Sequence, residues 1–298
     1  MPELPEVQTI IDDLNKKIKG ETIVDFWSDW PKAIKGKSLE NFKKEIKGRK
    51  ILNARRIGKN IFIDLSGGKT LYVHLKMTGH LLIKFQIPNS KLKTKSESQI
   101  SKSKEPDFFG ERVNQYIHHI WYFKSKKTME FSDLRKFAKI VLDDEEKINN
   151  LPEVKALGID AMDPKFTFKV FNEILDKKSK TPIGLLLMDQ GLIAGVGNIY
   201  RSEILYGAGI LPQRKNSDLS PEERKKIYQN ILKVLKKAIK YRGTSDSDYR
   251  DTSGAKGKFQ EVMKVYNREG KKCEKCDTIV VRKKFGQRSV FFCPDCQK

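Results

Sequence analysis

The residues able to do chemistry lie at the two ends of this chain. At the start, Met1-Pro2-Glu3-Leu4-Pro5-Glu6 places a proline directly behind the initiator. Proline is small enough there for Met1 to be trimmed, which would leave a secondary amine as the mature N-terminus, with Glu3 beside it. An α-amino group titrates near pH ~7.7–8.0, and its uncharged form can attack an electrophilic carbon to give an imine. Pro5 with Glu6 is also ordinary helix-start punctuation. At the far end, Cys273, Cys276, Cys293 and Cys296 follow a C-x2-C-x16-C-x2-C pattern and are all the cysteines present. Two close pairs at that separation read as a tetrahedral four-thiolate site with zinc as the metal. Two disulfides, or a redox-active or iron-binding set, are the alternatives, although nothing else points to an oxidising compartment.

The elements that must position these groups follow from periodicity. Val7, Ile10, Ile11, Leu14 and Ile18 recur at helical spacing, and Pro5 suits the first helical position. The amine would then face the positive end of a helix dipole, which disfavours its ammonium form. From there to about Leu142 the pattern is mainly β. Ile61, Ile63 and Leu65 alternate, Ser66 to Lys69 turn, and Leu71, Val73 and Leu75 resume the alternation. Leu81 to Phe85, Tyr116 to Phe123, Thr128 to Phe131 and Lys139 to Leu142 are further strands, enough for a sandwich or flattened barrel. The Lys/Ser-rich run Asn89 to Glu105 has no apolar periodicity and is expected to be disordered.

From about Leu151 the pattern turns helical. Ser220-Pro221-Glu222-Glu223 is a capping box, and the helix it opens carries Ile227, Ile231, Val234 and Leu235. Gly195-Val196-Gly197-Asn198 punctuates the entry to another helix, whose first amides could present to a phosphate. It is not the dinucleotide fingerprint and no strand is expected before it, which argues against a nucleotide cofactor. The acidic stretch Asp143 to Pro152 reads as an interdomain linker.

Sixty basic residues against 38 acidic ones give 298 residues a formal charge of +22. That excess points to a polyanion, most simply nucleic acid. No apolar run approaches the ~18 residues of a membrane span, and the acidic first segment is not a signal peptide. A cytoplasmic protein with no membrane partner is expected.

Taken together, MPELPEVQT, RIGKN, HLKMTG, SDLRKF, LLMDQGLIAGVGNIYRSE and CEKC…FGQRSVFFCPDC resemble the formamidopyrimidine-DNA glycosylase family along nearly the whole chain. The resemblance implies an α+β protein. It would comprise an N-terminal β-sandwich with a leading helix (1–142), a linker (143–152), a helix-two-turn-helix domain (153–265) and a zinc finger (266–298) holding one structural zinc. It implies excision of oxidised purines from double-stranded damaged DNA by a monomer, then strand cleavage at the abasic site. Pro2 would be the nucleophile, Glu3 the proton donor or shuttle, and Lys59 would position the damaged nucleotide or its phosphate. Met77, Arg135 and Phe137 would fill the stack vacated by the flipped nucleotide. Asn198 and Arg288 would grip phosphate, and Tyr249, in the Gly243–Lys258 loop, would touch the DNA backbone. An endonuclease VIII-like preference for oxidised pyrimidines and a non-enzymatic damaged-DNA-binding protein are the alternatives. Intact Pro2, Glu3 and Lys59 favour the enzyme. Ala138 and Asp277 stand where the family usually has glycine, and Thr78 occupies a variable position near the substrate.

Overall fold

In the computed structural model, residues 1–85 and 108–298 are described; the lysine-rich run 89–105 lies outside the described residues. Helix α1 (Leu4–Ile18) begins at the N-cap Glu3 and carries Lys16 and Lys17 in its last turn, where they complement the dipole. Pro5 falls at the second helical position, one later than expected. The apolar stripe of α1 packs on a sandwich of two sheets.

One sheet runs β1 (Ile23–Ser28), β7 (Ile117–Phe123), β8 (Lys127–Ser132), β6 (His80–Phe85). The other runs β2 (Ile34–Lys35), β9 (Lys139–Asp144), β5 (Lys69–His74), β4 (Asn60–Leu65), β3 (Ile51–Ile57). Pairing is antiparallel except between β2 and β9. Ile61, Ile63, Leu71 and Val73 share a core with Trp121, Met129 and Phe131 of the opposite sheet. The alternate residues Phe62, Tyr72 and Val141 are buried as well, beneath α3 (Glu145–Asn149) and α4 (Pro152–Lys155). Covered on both faces, β4 and β5 are buried almost continuously.

Helix α2 (Leu39–Ile46) and strands β1 to β3 were not among the expected elements. The stretch read as a polar linker in fact completes β9 and forms α3. Its main apolar anchor, Ile148, is fully buried against Phe62 and Tyr72, with Leu151 packed against the same cluster. Burying one such side chain contributes roughly 1.5–3 kcal/mol, which holds a helix too short to persist alone.

The helical half contains α5 (Phe168–Lys177), α6 (Ile183–Leu186), α7 (Asn198–Ala208) and α8 (Pro221–Lys240) around its own core. The capping box forms as expected: the Glu223 amide donates to Ser220 Oγ at 3.3 Å, and the Ser220 amide to Glu223 Oε2 at 2.8 Å. A strand does precede the glycine turn, contrary to expectation. It is β11 (Ile193–Ala194), two residues paired in parallel with β10 (Ile159–Asp160), far too short for a dinucleotide-binding unit. Leu4 belongs to this second core while the rest of α1 belongs to the first. The start of the chain therefore sits at the junction of the two halves. Strands β12 (Val281–Phe285) and β13 (Arg288–Phe292) form the finger hairpin, with Gly286 at φ +63 in its two-residue turn.

Candidate active site

Pro2 and Glu3 are buried at the beginning of α1, and the turn before α7 is built to receive them. The Leu4 amide donates to the Gly195 carbonyl at 3.1 Å. The Ile199 amide donates to Glu3 Oε1 at 3.0 Å, and the Tyr200 amide reaches Oε2 at 3.5 Å. The carboxylate of Glu3 thus occupies the positive end of α7, so these amides are not left for a phosphate. A methyl group on Gly197 would lie 2.4 Å from the Glu3 carboxyl carbon. Only glycine admits this approach.

Lys59 follows Gly58 in the β3–β4 turn and is 7% exposed. Burial lowers the pKa of its ammonium, Glu3 and Glu6 raise it, and Arg288 lowers it again. Those causes place Lys59 within the field of both acids and of the finger arginine. The turn is pinned from the other half of the molecule, because Asp160 Oδ2 accepts from the Gly58 amide at 2.6 Å and from Arg56 Nη1 at 2.5 Å.

Beneath this pair lies Glu6, fully buried, accepting from the Glu3 amide at 2.7 Å, from the Thr244 amide at 2.7 Å and from the Tyr200 hydroxyl. Burial first, then repulsion from Glu3, pushes its pKa from 4.5 up to about 7 against these donors. The folded protein therefore holds a proton that the unfolded chain has lost. That contribution is complete below pH about 4.5 and disappears as pH rises to about 7. Urea unfolding of Glu6→Gln beside the parent protein is expected to show the variant gaining about 2 to 3 kcal/mol, relative to the parent, between pH 5 and pH 8. A pH-independent difference would mean that Glu6 is ionised throughout.

Met77, Arg135 and Phe137 come together at the surface. Arg135 Nη1 lies 3.0 Å from Met77 Sδ, and its guanidinium stacks 4.6 Å from the Phe137 ring centroid. Met77 is 39% and Phe137 51% exposed, unusual for side chains of their kind. Buried Asp133 organises the loop that carries them, accepting from the Phe137 amide at 2.9 Å, the Ala138 amide at 3.0 Å and the Thr78 hydroxyl. Thr78 is thus buried and structural. Ala138 has no positive φ, so alanine fits; the left-handed residue of this loop is Lys136, at φ +54.

Asn198 opens α7, and Arg288 is exposed at the start of β13. Tyr249 differs from expectation. Its ring is 5% exposed and its hydroxyl points to the Glu6 carbonyl at 3.4 Å, so it braces α1 from inside rather than facing a ligand.

The four cysteine sulfurs all lie within 4.8 Å of one another. Cys273–Cys296 is 3.8 Å, Cys276–Cys293 3.4 Å and Cys276–Cys296 3.2 Å. A tetrahedral zinc with Zn–S of ~2.3 Å requires S···S near ~3.8 Å, whereas a disulfide needs ~2.05 Å. One cluster of four thiolates fits the metal, and two bridges do not fit. Asp277, after the second cysteine, takes φ +59 where glycine would be unstrained.

The residues that sequence reasoning missed are Glu6, Asp133, Tyr200 and Arg201. The available signal was a charge inside an otherwise apolar helix, as in Tyr200-Arg201-Ser202-Glu203, since charged residues are seldom fully buried without a partner. A cavity of about 630 Å³ lies elsewhere, between α1, β3 and the 154–163 segment. It includes none of these groups.

Comparison with known proteins agrees along the entire length. The Formamidopyrimidine-DNA glycosylase N-terminal domain profile matches residues 1–140, the corresponding H2TH domain 157–249, and the zinc finger found in FPG and IleRS 270–298. Formamidopyrimidine-DNA glycosylases of Pelotomaculum thermopropionicum and Carboxydothermus hydrogenoformans are each 36% identical over 298 residues, covering 100% of this chain and 99% and 100% of theirs. The Lactococcus lactis Fpg complex with abasic-site DNA superposes with a TM-score of 0.82 at 29% identity, covering 99% of both chains. A second complex of that protein, with Fapy-dG DNA, gives 0.81 at 29% identity, covering 99% of this chain and 100% of the other. Matched end to end by domain profiles, relatives and folds alike, the chain belongs to the formamidopyrimidine-DNA glycosylase family.

Proposed function

We propose that this chain is a bifunctional DNA glycosylase and abasic-site lyase acting on oxidised purines in duplex DNA. The observation that carries the reading is the burial of Glu3 at the head of α1 with Lys59, also buried, in its electrostatic field, together with the exposed Met77–Arg135–Phe137 cluster. Family membership and relatives bound to abasic-site and Fapy-dG DNA support it.

In this mechanism the Pro2 nitrogen, free once Met1 is removed, donates its electron pair to C1′. The glycosidic bond breaks and its pair leaves with the base. Glu3 takes up the proton released by the Pro2 nitrogen and passes it to the sugar ring oxygen, the ring opens, and an iminium joins Pro2 to C1′. That iminium is an electron sink, so a proton is lost from C2′ and the 3′ phosphate departs; a second elimination releases the 5′ phosphate. Lys59, held in the field of Glu3, positions the damaged nucleotide or its phosphate. Asn198 and Arg288 grip the backbone. The working unit is a monomer in the cytoplasm that uses no nucleotide cofactor. Its parts are the sandwich (1–142), the segment 143–152, the helical domain (153–265) and the finger (266–298), where Cys273, Cys276, Cys293 and Cys296 hold zinc as a structural ion. Among the described residues no helix is long and apolar enough to cross a membrane.

Excision measured side by side on duplexes carrying 8-oxoguanine, ring-opened guanine or an oxidised pyrimidine tests this reading. The purine lesions should be removed fastest. Preference for the pyrimidine would assign an endonuclease VIII-like enzyme, and no excision would leave a binding protein.

The surface cluster gives a separate prediction. Flipping a nucleotide from an intact stack costs a few kcal/mol, and less where pairing is already lost. Arg135→Ala or Phe137→Ala should therefore slow excision from duplex roughly 10- to 100-fold, while cleavage at a preformed abasic site changes by less than about threefold. Equal losses on the two substrates would remove the insertion role.

A further inference from the structure

Arg201 lies in the first turn of α7 and is fully buried. Nη2 donates to Asn198 Oδ1 at 2.5 Å and to the Ser289 carbonyl at 3.1 Å, and Nη1 to the Gly184 carbonyl at 3.3 Å. Nε is buried and has no partner. These three acceptors are neutral. Among the described residues no carboxylate comes within ion-pairing distance of the guanidinium, whereas Arg56, Arg214, Arg224 and Arg250 each have one. The charge also stands at the positive end of its own helix, the wrong end for a cation, with Arg288 acting against it and Glu3, then Tyr266, in its favour. Burial pushes even this arginine down to about 10. A buried cation left in that state is costly unless something completes it.

Its contacts show where completion would come from. Arg201 joins α6, α7 and β13 at a single point, next in sequence to Arg288 through Ser289. With Asn198 Oδ1 committed to Arg201 and its amide donating to the Tyr266 oxygen, the second amide hydrogen is what remains for a ligand. A ligand meeting one side-chain amide hydrogen, the exposed Arg288 and an uncompensated positive charge is an anion.

We propose that Arg201 is a positioning residue that locks Asn198 and the Arg288 strand into one anion grip, and that a bound DNA phosphate supplies the counter-charge missing from the free protein. This rests on the DNA-repair reading above but concerns a residue with no part in the base or sugar chemistry. It also means that the free protein holds this charge at a cost that DNA binding relieves.

The test uses the zinc-loaded full-length protein and its Arg201→Met, Arg201→Lys and Arg201→Gln variants. Binding to an abasic-site duplex is titrated across a salt series, with zinc content measured for each protein. Arg201→Met should weaken binding roughly 10- to 100-fold and make the slope of log K against log salt shallower by about one. Arg201→Lys should restore the slope but only part of the affinity, because a lysine cannot reproduce the fork to Asn198 and Ser289. The losses in Arg201→Met and Asn198→Ala should be non-additive when combined. Without DNA, Arg201→Met should melt at or above the parent temperature, and DNA should raise its Tm less. Should Arg201→Met lose zinc, Arg201→Gln, which keeps donors without charge, reads the slope instead. An unchanged slope in the uncharged variants, with losses additive to Asn198→Ala, reduces Arg201 to a scaffold and overturns the proposal. If the parent protein itself shows no salt-dependent DNA binding, the DNA reading fails first.

Discussion

Protein carrying an uncleaved N-terminal extension is expected to give no borohydride-trapped adduct with abasic-site or lesion-bearing DNA, whereas protein shown by mass to begin at Pro2 is trapped. The reason is electronic. An amide nitrogen has its electron pair delocalised into the preceding carbonyl, so a Pro2 that still follows Met1 cannot attack C1′ or form an iminium. DNA affinity should survive within about threefold, because the grip comes from phosphate contacts that do not involve the amine. Glu3→Gln separates the second role. It removes the carboxylate that can take up and pass on a proton and weakens the anion cap on the Ile199 and Tyr200 amides, while its shape is retained. Base excision should fall by about 10²–10⁴-fold, the usual worth of a positioned proton donor, with damaged duplex still bound. A trapped adduct from the extended protein would require a different nucleophile, and Lys59, buried within the field of Glu3, would be the first to examine.

What the sequence revealed about this site divides along physical lines. Contiguous patterns were readable: α1 from its apolar spacing, α8 from its capping box, and the metal cluster from the spacing of Cys273, Cys276, Cys293 and Cys296. Strands β4 to β9 could be read from alternation, to within a residue or two at their ends. Short elements fixed by tertiary contact were not readable. Helix α3 depends on a single Ile148, and β11 is two residues whose pairing partner lies over 30 positions away. The same holds within the site. Resemblance could bring Glu3, Lys59 and Arg135 onto one page, but it could not show that Glu3 caps α7, that Asp160 pins the turn before Lys59, or that Asp133 folds the loop under Phe137. Tyr249 illustrates the converse. The resemblance implied that it touches the DNA backbone, and only the packing of its loop on α1 shows the ring turned inward.

Loss of the metal should have the next largest effect, and a local one. The finger contributes Cys273, Val280, Phe291 and Cys293 to a core shared with Tyr206 and Val265 of the helical domain, too few apolar groups to hold a segment of its size without a cross-link. Structural zinc supplies about 10–16 kcal/mol in small metallo-domains. Cys273 is the most instructive ligand to remove. Its sulfur is buried, lies 3.2 Å from the Tyr206 hydroxyl of α7 and accepts from the Lys275 amide at 3.4 Å, so it ties the metal to the helical domain. In Cys273→Ser the purified protein should lose its one zinc, and proteolysis should begin beyond about residue 266. DNA affinity should drop roughly 10²-fold or more, because the hairpin holding Arg288 no longer presents it and the Ser289 carbonyl leaves Arg201. The sandwich, whose core shares no residue with the finger, should keep its urea transition. Because the amine and Glu3 are carried by α1, slow cleavage at an abasic site should persist at high DNA concentration. Metal analysis returning iron, or full affinity in a zinc-free protein, would show that the four thiolates serve some other purpose.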